Sequence, residues 1–117
     1  MWLKRLLLPI SLLIIGCGMS EHGTYPLSQV EVENVERSAN EVIVKYRALL
    51  ESAYYSPGVR IEEKDGERLV TVVRCPIDGE CSTDIAGVQE DSAMVVRIPK
   101  TGGPLFLYDG EHKQGIE

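Results

Sequence analysis

The chain has 117 residues, with 18 acidic against 12 basic side chains and a formal net charge of −6. An acidic surface repels phosphate backbones, which argues against nucleic-acid binding. The length suits one domain with a modest core and leaves little room for a substrate cleft.

The first sixteen residues divide into three parts. Lys4 and Arg5 make a positive start, Leu6 to Ile15 is apolar apart from Ser11, and Gly16 is a small residue just before Cys17. That order reads as a secretory signal, with residues 1–16 removed. The apolar run is too short to cross a bilayer, which takes about 20 residues. Loss of 1–16 takes away Lys4 and Arg5, so the remainder carries 10 basic and 18 acidic side chains, a charge of −8. Such a body is repelled by anionic headgroups.

Ile14-Ile15-Gly16-Cys17 resembles the lipobox of bacterial lipoproteins. The resemblance covers residues 1–17 only. It implies a diacylglyceryl thioether on Cys17, cleavage after Gly16 and acylation of the new amino group. The chain would then be held at the cell envelope by its lipid, since two or more acyl chains bind a membrane stably. Gly18 follows the cysteine where an Asp favours inner-membrane retention, so the resemblance implies delivery to the outer membrane, facing the periplasm, in a Gram-negative cell.

Residues 17–27 read as the lipidated cysteine and a polar tether broken by Gly23 and Pro26, with Tyr25 the first side chain able to dock on a domain over 28–110. Val30 and Val32 alternate with Glu31 and Glu33, the period of a half-buried strand near 30–35. Val42 to Tyr55 fits two patterns. As a strand over 41–50, Val42, Val44, Tyr46, Ala48 and Leu50 share one face. As a helix near 39–55, Ala39, Val42, Tyr46, Leu49, Leu50 and Ala53 form a stripe, and Ser38 with Glu41 resembles a capping box. The β-branched run Val42-Ile43-Val44 favours the strand.

Asp65-Gly66 between residues 59–64 and 67–75 predicts a hairpin closed by a type I′ turn. That turn pairs Ile61 with Val70, Val59 with Val72, and Glu63 with Arg68 as a wet ion pair. The opposite side is polar except for Leu69 and Val73, which makes those two, along with open strand edges, the candidate docking surface for an envelope protein. Cys75 and Cys81 form an even pair in an exported chain, predicting a disulfide across a short Pro/Gly loop. Free thiols or a metal are the alternatives, but zinc wants four ligands, and His22 and His112 stand apart near the two ends.

Residues 76–91 read as loop with at most one short strand. Its acids Asp78, Glu80 and Asp84 are weak candidates for a cation, in a spacing unlike the EF-hand loop, and they make a small-ligand or cation-binding lipoprotein the alternative function. Strands near 94–99 and 105–108 are expected to form a second hairpin around Lys100 to Gly103, and 111–117 to be a frayed tail. Phosphate loops, HExxH and GxSxG are all missing, so no enzyme and no cofactor is expected. About six strands with Gly/Pro turns predict an all-β chain, a small β-sandwich, with α+β as the alternative if 39–55 is helical. The function these readings support is a non-catalytic interaction or structural accessory lipoprotein of the envelope.

Overall fold

The computed structural model describes residues 23–116. Cys17, His22 and the leader lie outside the described residues. After a 3₁₀ turn at Leu27–Gln29 come eleven strands among the described residues. They are β1 (Val30–Arg37), β2 (Glu41–Ala48), β3 (Tyr54–Tyr55), β4 (Gly58–Lys64), β5 (Glu67–Val72), β6 (Cys75–Pro76), β7 (Ile85–Ala86), β8 (Val88–Glu90), β9 (Ala93–Pro99), β10 (Leu105–Tyr108) and β11 (Lys113–Gly115). The chain is all-β. One sheet has the order β1-β2-β9-β8, a second β11-β10-β5-β4-β7, and β3 with β6 makes a two-stranded ribbon.

Alternation in β2 decides what faces the core. Val42, Val44 and Tyr46 are buried, while Ile43 and Lys45 are only partly covered and Arg47 is exposed. Val96 and Ile98 of β9 join them, and Val59, Val70, Val72, Leu105 and Leu107 come from the second sheet into the same cluster. The two sheets therefore pack face to face as a sandwich. Each such side chain contributes about 1.5–3 kcal/mol through loss of apolar surface to water. The helical alternative over 39–55 fails because β2 has partners on both sides, β1 and β9, which take up its backbone groups. Ser38 and Glu41 cap no helix: Ser38 Oγ accepts from the Glu41 amide at 3.2 Å and closes the turn between β1 and β2. In β1 the register slips between Val32 and Asn34, so Glu33 is an extra, bulged residue, held by Arg47 at 2.8 Å.

The β4–β5 hairpin has the expected register: Val59 faces Val72, Ile61 faces Val70 and Glu63 faces Arg68. Asp65 and Gly66 both have positive φ, 51° and 80°, as a type I′ turn requires. Arg68 does not form the wet ion pair. It is 6% exposed, and its guanidinium donates to the carbonyls of Gly103 at 2.9 Å and Pro99 at 2.6 Å.

Those bonds belong to the largest departure from expectation: β9 and β10 are not a hairpin. β9 stays in the first sheet between β2 and β8, whereas β10 crosses to the second sheet and runs parallel to β5, Leu105 beside Arg68 and Leu107 beside Val70. Pro99 and Pro104 carry no amide to donate, and the Arg68 amide donates to Pro104 O at 2.9 Å. Gly103 rests on the Asp65-Gly66 turn so closely that a Cβ there would lie 1.8 Å from Gly66 O. At the other end of β4, a Cβ on Gly58 would lie 2.2 Å from Ile85 O, so only glycine lets β7 approach.

Three further segments differ from the sequence reading. Residues 76–91 carry two short strands, β7 and β8. The expected tail pairs as β11 with β10, and Ile116 N donates to Leu105 O at 3.2 Å. The end of the expected tether is folded: Thr24 bridges Val73, Tyr25 N donates to Val72 O at 3.0 Å, and Tyr25 is buried. Asp109 joins this segment to the last turn. Its Oδ2 accepts from Leu27 N at 2.9 Å, and its Oδ1 accepts from Glu111 N at 2.9 Å and His112 N at 2.6 Å. Burial alone would raise the pKa of this carboxyl, but the amides of Leu27, His112 and Glu111 outweigh it and hold the value at about 2.

Arg68→Met strands two carbonyls and is expected to cost about 2–4 kcal/mol, read as a lower melting temperature with an unchanged fold by circular dichroism. Asp109 has a depressed folded-state pKa, so its stabilisation is complete above about pH 4 and is lost as pH falls through about 2. Asp109→Asn is expected to remove about 2 kcal/mol at neutral pH and to flatten the denaturant midpoint between pH 4 and 2.

Candidate functional site

Cys75 and Cys81 form the expected disulfide, with Cα atoms 5.9 Å apart. Cys75 is fixed opposite Tyr55 by the β3–β6 ribbon, and the loop is tied back by Ile77 N to Ala53 O at 2.9 Å and Gly79 N to Pro76 O at 3.0 Å. Closing so short a loop contributes roughly 2–3 kcal/mol by restricting the unfolded chain.

The acidic loop is not gathered into a site. Asp78 and Glu80 are exposed, while Asp84 Oδ2 accepts from Ile61 N at 2.7 Å and so finishes the edge of β4. Among the described residues no three His, Cys, Asp or Glu side chains are grouped to hold a metal ion. His112 is a surface residue beside Asp109, its Nδ1 3.3 Å from Oδ2.

Leu69 and Val73 are buried, which corrects their reading as a docking surface. Leu69 sits between Glu62 of β4 and Phe106 of β10, and Val73, just past β5, is bridged to Thr24.

The chemistry-bearing side chains that do converge lie at the end of the sandwich where residue 23 meets β5. Arg74, just past β5, donates from Nε and a terminal nitrogen to the two Glu51 carboxylate oxygens at 3.0 and 2.8 Å. Its guanidinium lies 3.7 Å from the centre of the Tyr54 ring and 5.9 Å from that of Tyr25. The fork-on-carboxylate geometry and the flat ring stacking are what arginine offers and lysine does not. Hydrogen bonds from Arg74 hold Glu51 below the usual carboxylate range. The Tyr25 hydroxyl is buried, with the Glu51 carboxylate the acid that faces it. Burial first, and the Glu51 charge second, push its pKa up to about 12. Next to it Tyr46 Oη and Ser56 Oγ share a hydrogen bond of 2.8 Å, and Ser56 Oγ donates to Gly58 O at 3.2 Å.

Of these groups Tyr25, Glu51, Tyr54 and Ser56 line a cleft of about 180 Å³, together with Leu49, Leu50, Tyr55, Gln89 and Met94. Metabolite-sized ligands occupy roughly 300–1,000 Å³, so this cleft admits a single side chain or a short apolar group. Arg74 and Glu51 are engaged with each other, and Tyr25 is protonated at neutral pH, so the cluster offers neither a free charge nor a base. It is a clasp joining the loop after β2 to the strand segment after β5.

Large apolar side chains surround it. Leu50 is 82% exposed, Ile77 63%, and Leu49 and Tyr55 are exposed as well. Val88, 69% exposed, lies on β8 at the free edge of the first sheet. Comparison with known proteins finds no matching family model, no matching curated relative and no matching solved structure.

Tyr25 has a folded-state pKa above the ordinary 10.0, so its contribution is complete below pH 10 and is lost as pH rises toward 12. Glu51→Gln is expected to lower the Tyr25 value while leaving it above 10, because burial is the larger cause. A pH titration followed by carbon NMR of the tyrosine ring checks both statements.

Proposed function

We propose that this chain is a lipid-anchored extracytoplasmic lipoprotein that acts, without catalysis, as a protein-docking accessory module of the cell envelope. The lipobox-like segment ending in Cys17 supports the anchor, and Gly18 supports outer-membrane delivery in a Gram-negative cell. The Cys75–Cys81 disulfide agrees with an oxidising compartment. The Arg74 cluster, with its charges paired and its phenol protonated, supports a binding role over a catalytic one.

The observation that carries the docking role is Val88. It is a large apolar side chain 69% exposed on an edge strand that pairs, among the described residues, with β9 alone. Val95 stands directly opposite it and Lys45 lies beyond, so the row runs from apolar to basic across the sheet. An added strand from a partner would take up the free β8 backbone groups and set a side chain of its own beside Val88.

Mass spectrometry of the chain purified from membranes is expected to show cleavage after Gly16 and an acylated Cys17; an unmodified Cys17 would end the anchor reading. Val88→Glu is expected to leave melting unchanged and to reduce, at least tenfold, recovery of one and the same envelope protein after cross-linking in intact cells. Undiminished recovery from Val88→Glu would end the docking reading.

A further inference from the structure

Four of the five large, exposed apolar side chains among the described residues, Leu49, Leu50, Tyr55 and Ile77, belong to one end of the sandwich. Leu49 and Leu50 follow β2, Tyr55 is in β3, and Ile77 is bonded through its amide to Ala53 O of the same loop at 2.9 Å. Leu50 is next in sequence to Glu51, which the Arg74 side chain grips. The Arg74 amide in turn donates to Gly23 O at 3.0 Å. The apolar tip therefore lies within about one arginine side chain of Gly23, the first described residue.

Gly23 stands six positions after Cys17. Covalent geometry allows that stretch to span at most about 22 Å. If Cys17 carries its lipid, the tip stays within reach of the bilayer, at most that span plus about one arginine side chain away, whereas the Asp65-Gly66 turn lies at the opposite end of β5. From this geometry we infer that the tip formed by Leu49, Leu50, Tyr55 and Ile77 dips into the lipid interface and sets the orientation of the domain on the membrane. The inference rests on the anchor reading above and adds a second point of attachment to it.

The chemistry of the tip agrees with a lipid surface. Leucine and isoleucine enter the acyl boundary, and tyrosine favours headgroup depth. Glu51, the acid nearest Leu50, is neutralised by Arg74 before it meets the interface. Asp78 and Glu80 lie close to Ile77 in the chain and stay exposed, so the attraction is apolar and the favoured headgroups are zwitterionic. Held by two points, the domain would present its sheet edges sideways, where a neighbour in the same membrane can reach β8.

The test uses the full chain, purified from the membranes of expressing cells and reconstituted into phosphatidylcholine vesicles. Trp2 is the only tryptophan and departs with the leader, so Leu50→Trp supplies a single reporter at the tip and Lys64→Trp one at the far turn. With bromine-labelled upper acyl chains, indole emission from the Leu50→Trp variant is expected to fall about twofold or more, and emission from the Lys64→Trp variant to stay constant. Mass spectrometry of the same samples separates the failures. Acylated Cys17 with the tip reporter as insensitive as the turn reporter would overturn the inference and leave the anchor intact; unmodified Cys17 would overturn both. Emission from the tip reporter that is shifted to the blue but indifferent to bromine would mean that protein, a second copy or a partner, covers the tip, and would overturn it also.

Discussion

Arg68 holds the place where this chain changes sheets. Its guanidinium lies almost out of water and donates to two carbonyls, Pro99 at the end of β9 and Gly103 just before β10. The backbone amide of the same residue donates to Pro104 O, so one residue fixes both ends of the crossover. Without that crossover β10 would have no reason to lie parallel to β5, and β11 would have no strand to pair with. Leu105 and Leu107, which complete the core, arrive through it. A buried cation is costly unless its donors are satisfied, and here carbonyls supply what a carboxylate would in a simple ion pair.

The two ends of the sandwich have different characters. At the Asp65-Gly66 end the chain turns tightly, with Gly103 pressed onto Gly66. At the Arg74 end it is held by side chains: a guanidinium between a carboxylate and two aromatic rings, a disulfide, and a buried phenol that stays protonated into strongly alkaline solution. That second end is where residue 23 joins the fold and where apolar side chains are left in solvent. Stiff polar joints underneath a greasy rim let the rim keep its shape without a core of its own.

Local periodicity made the long strands legible. The valines of β2 alternate cleanly, and Asp-Gly set the β4–β5 register to the residue. The disulfide was legible too, because Cys75 and Cys81, six positions apart, are the only two cysteines left after Cys17. What escaped was decided by distant partners. Arg68 has a plausible mate next door in Glu63, yet it uses carbonyls 31 and 35 residues away. Leu69 and Val73 look outward by alternation and are nevertheless buried, Leu69 between Glu62 and Phe106 of the neighbouring strands and Val73 against Thr24. Lys113-Gln114-Gly115 carries no apolar pattern at all, and only a docked β10 makes it a strand. Of the clasp, Tyr25 alone was foreshadowed, as the first side chain able to dock; Glu51, Tyr54 and Arg74 carry no motif that would have brought them together.

The bulge in β1 has a consequence for copies of the domain that meet edge to edge. Eight residues of open edge are a template on which identical sheets could stack into a ribbon. Glu33, squeezed out of register and pinned by Arg47, bends that template and breaks its row of hydrogen-bonding groups halfway along. Glu31 and Glu36 add like charge to the same border. The long side of the sheet is thereby made unsuitable for self-stacking, while the short side at β8 is left open.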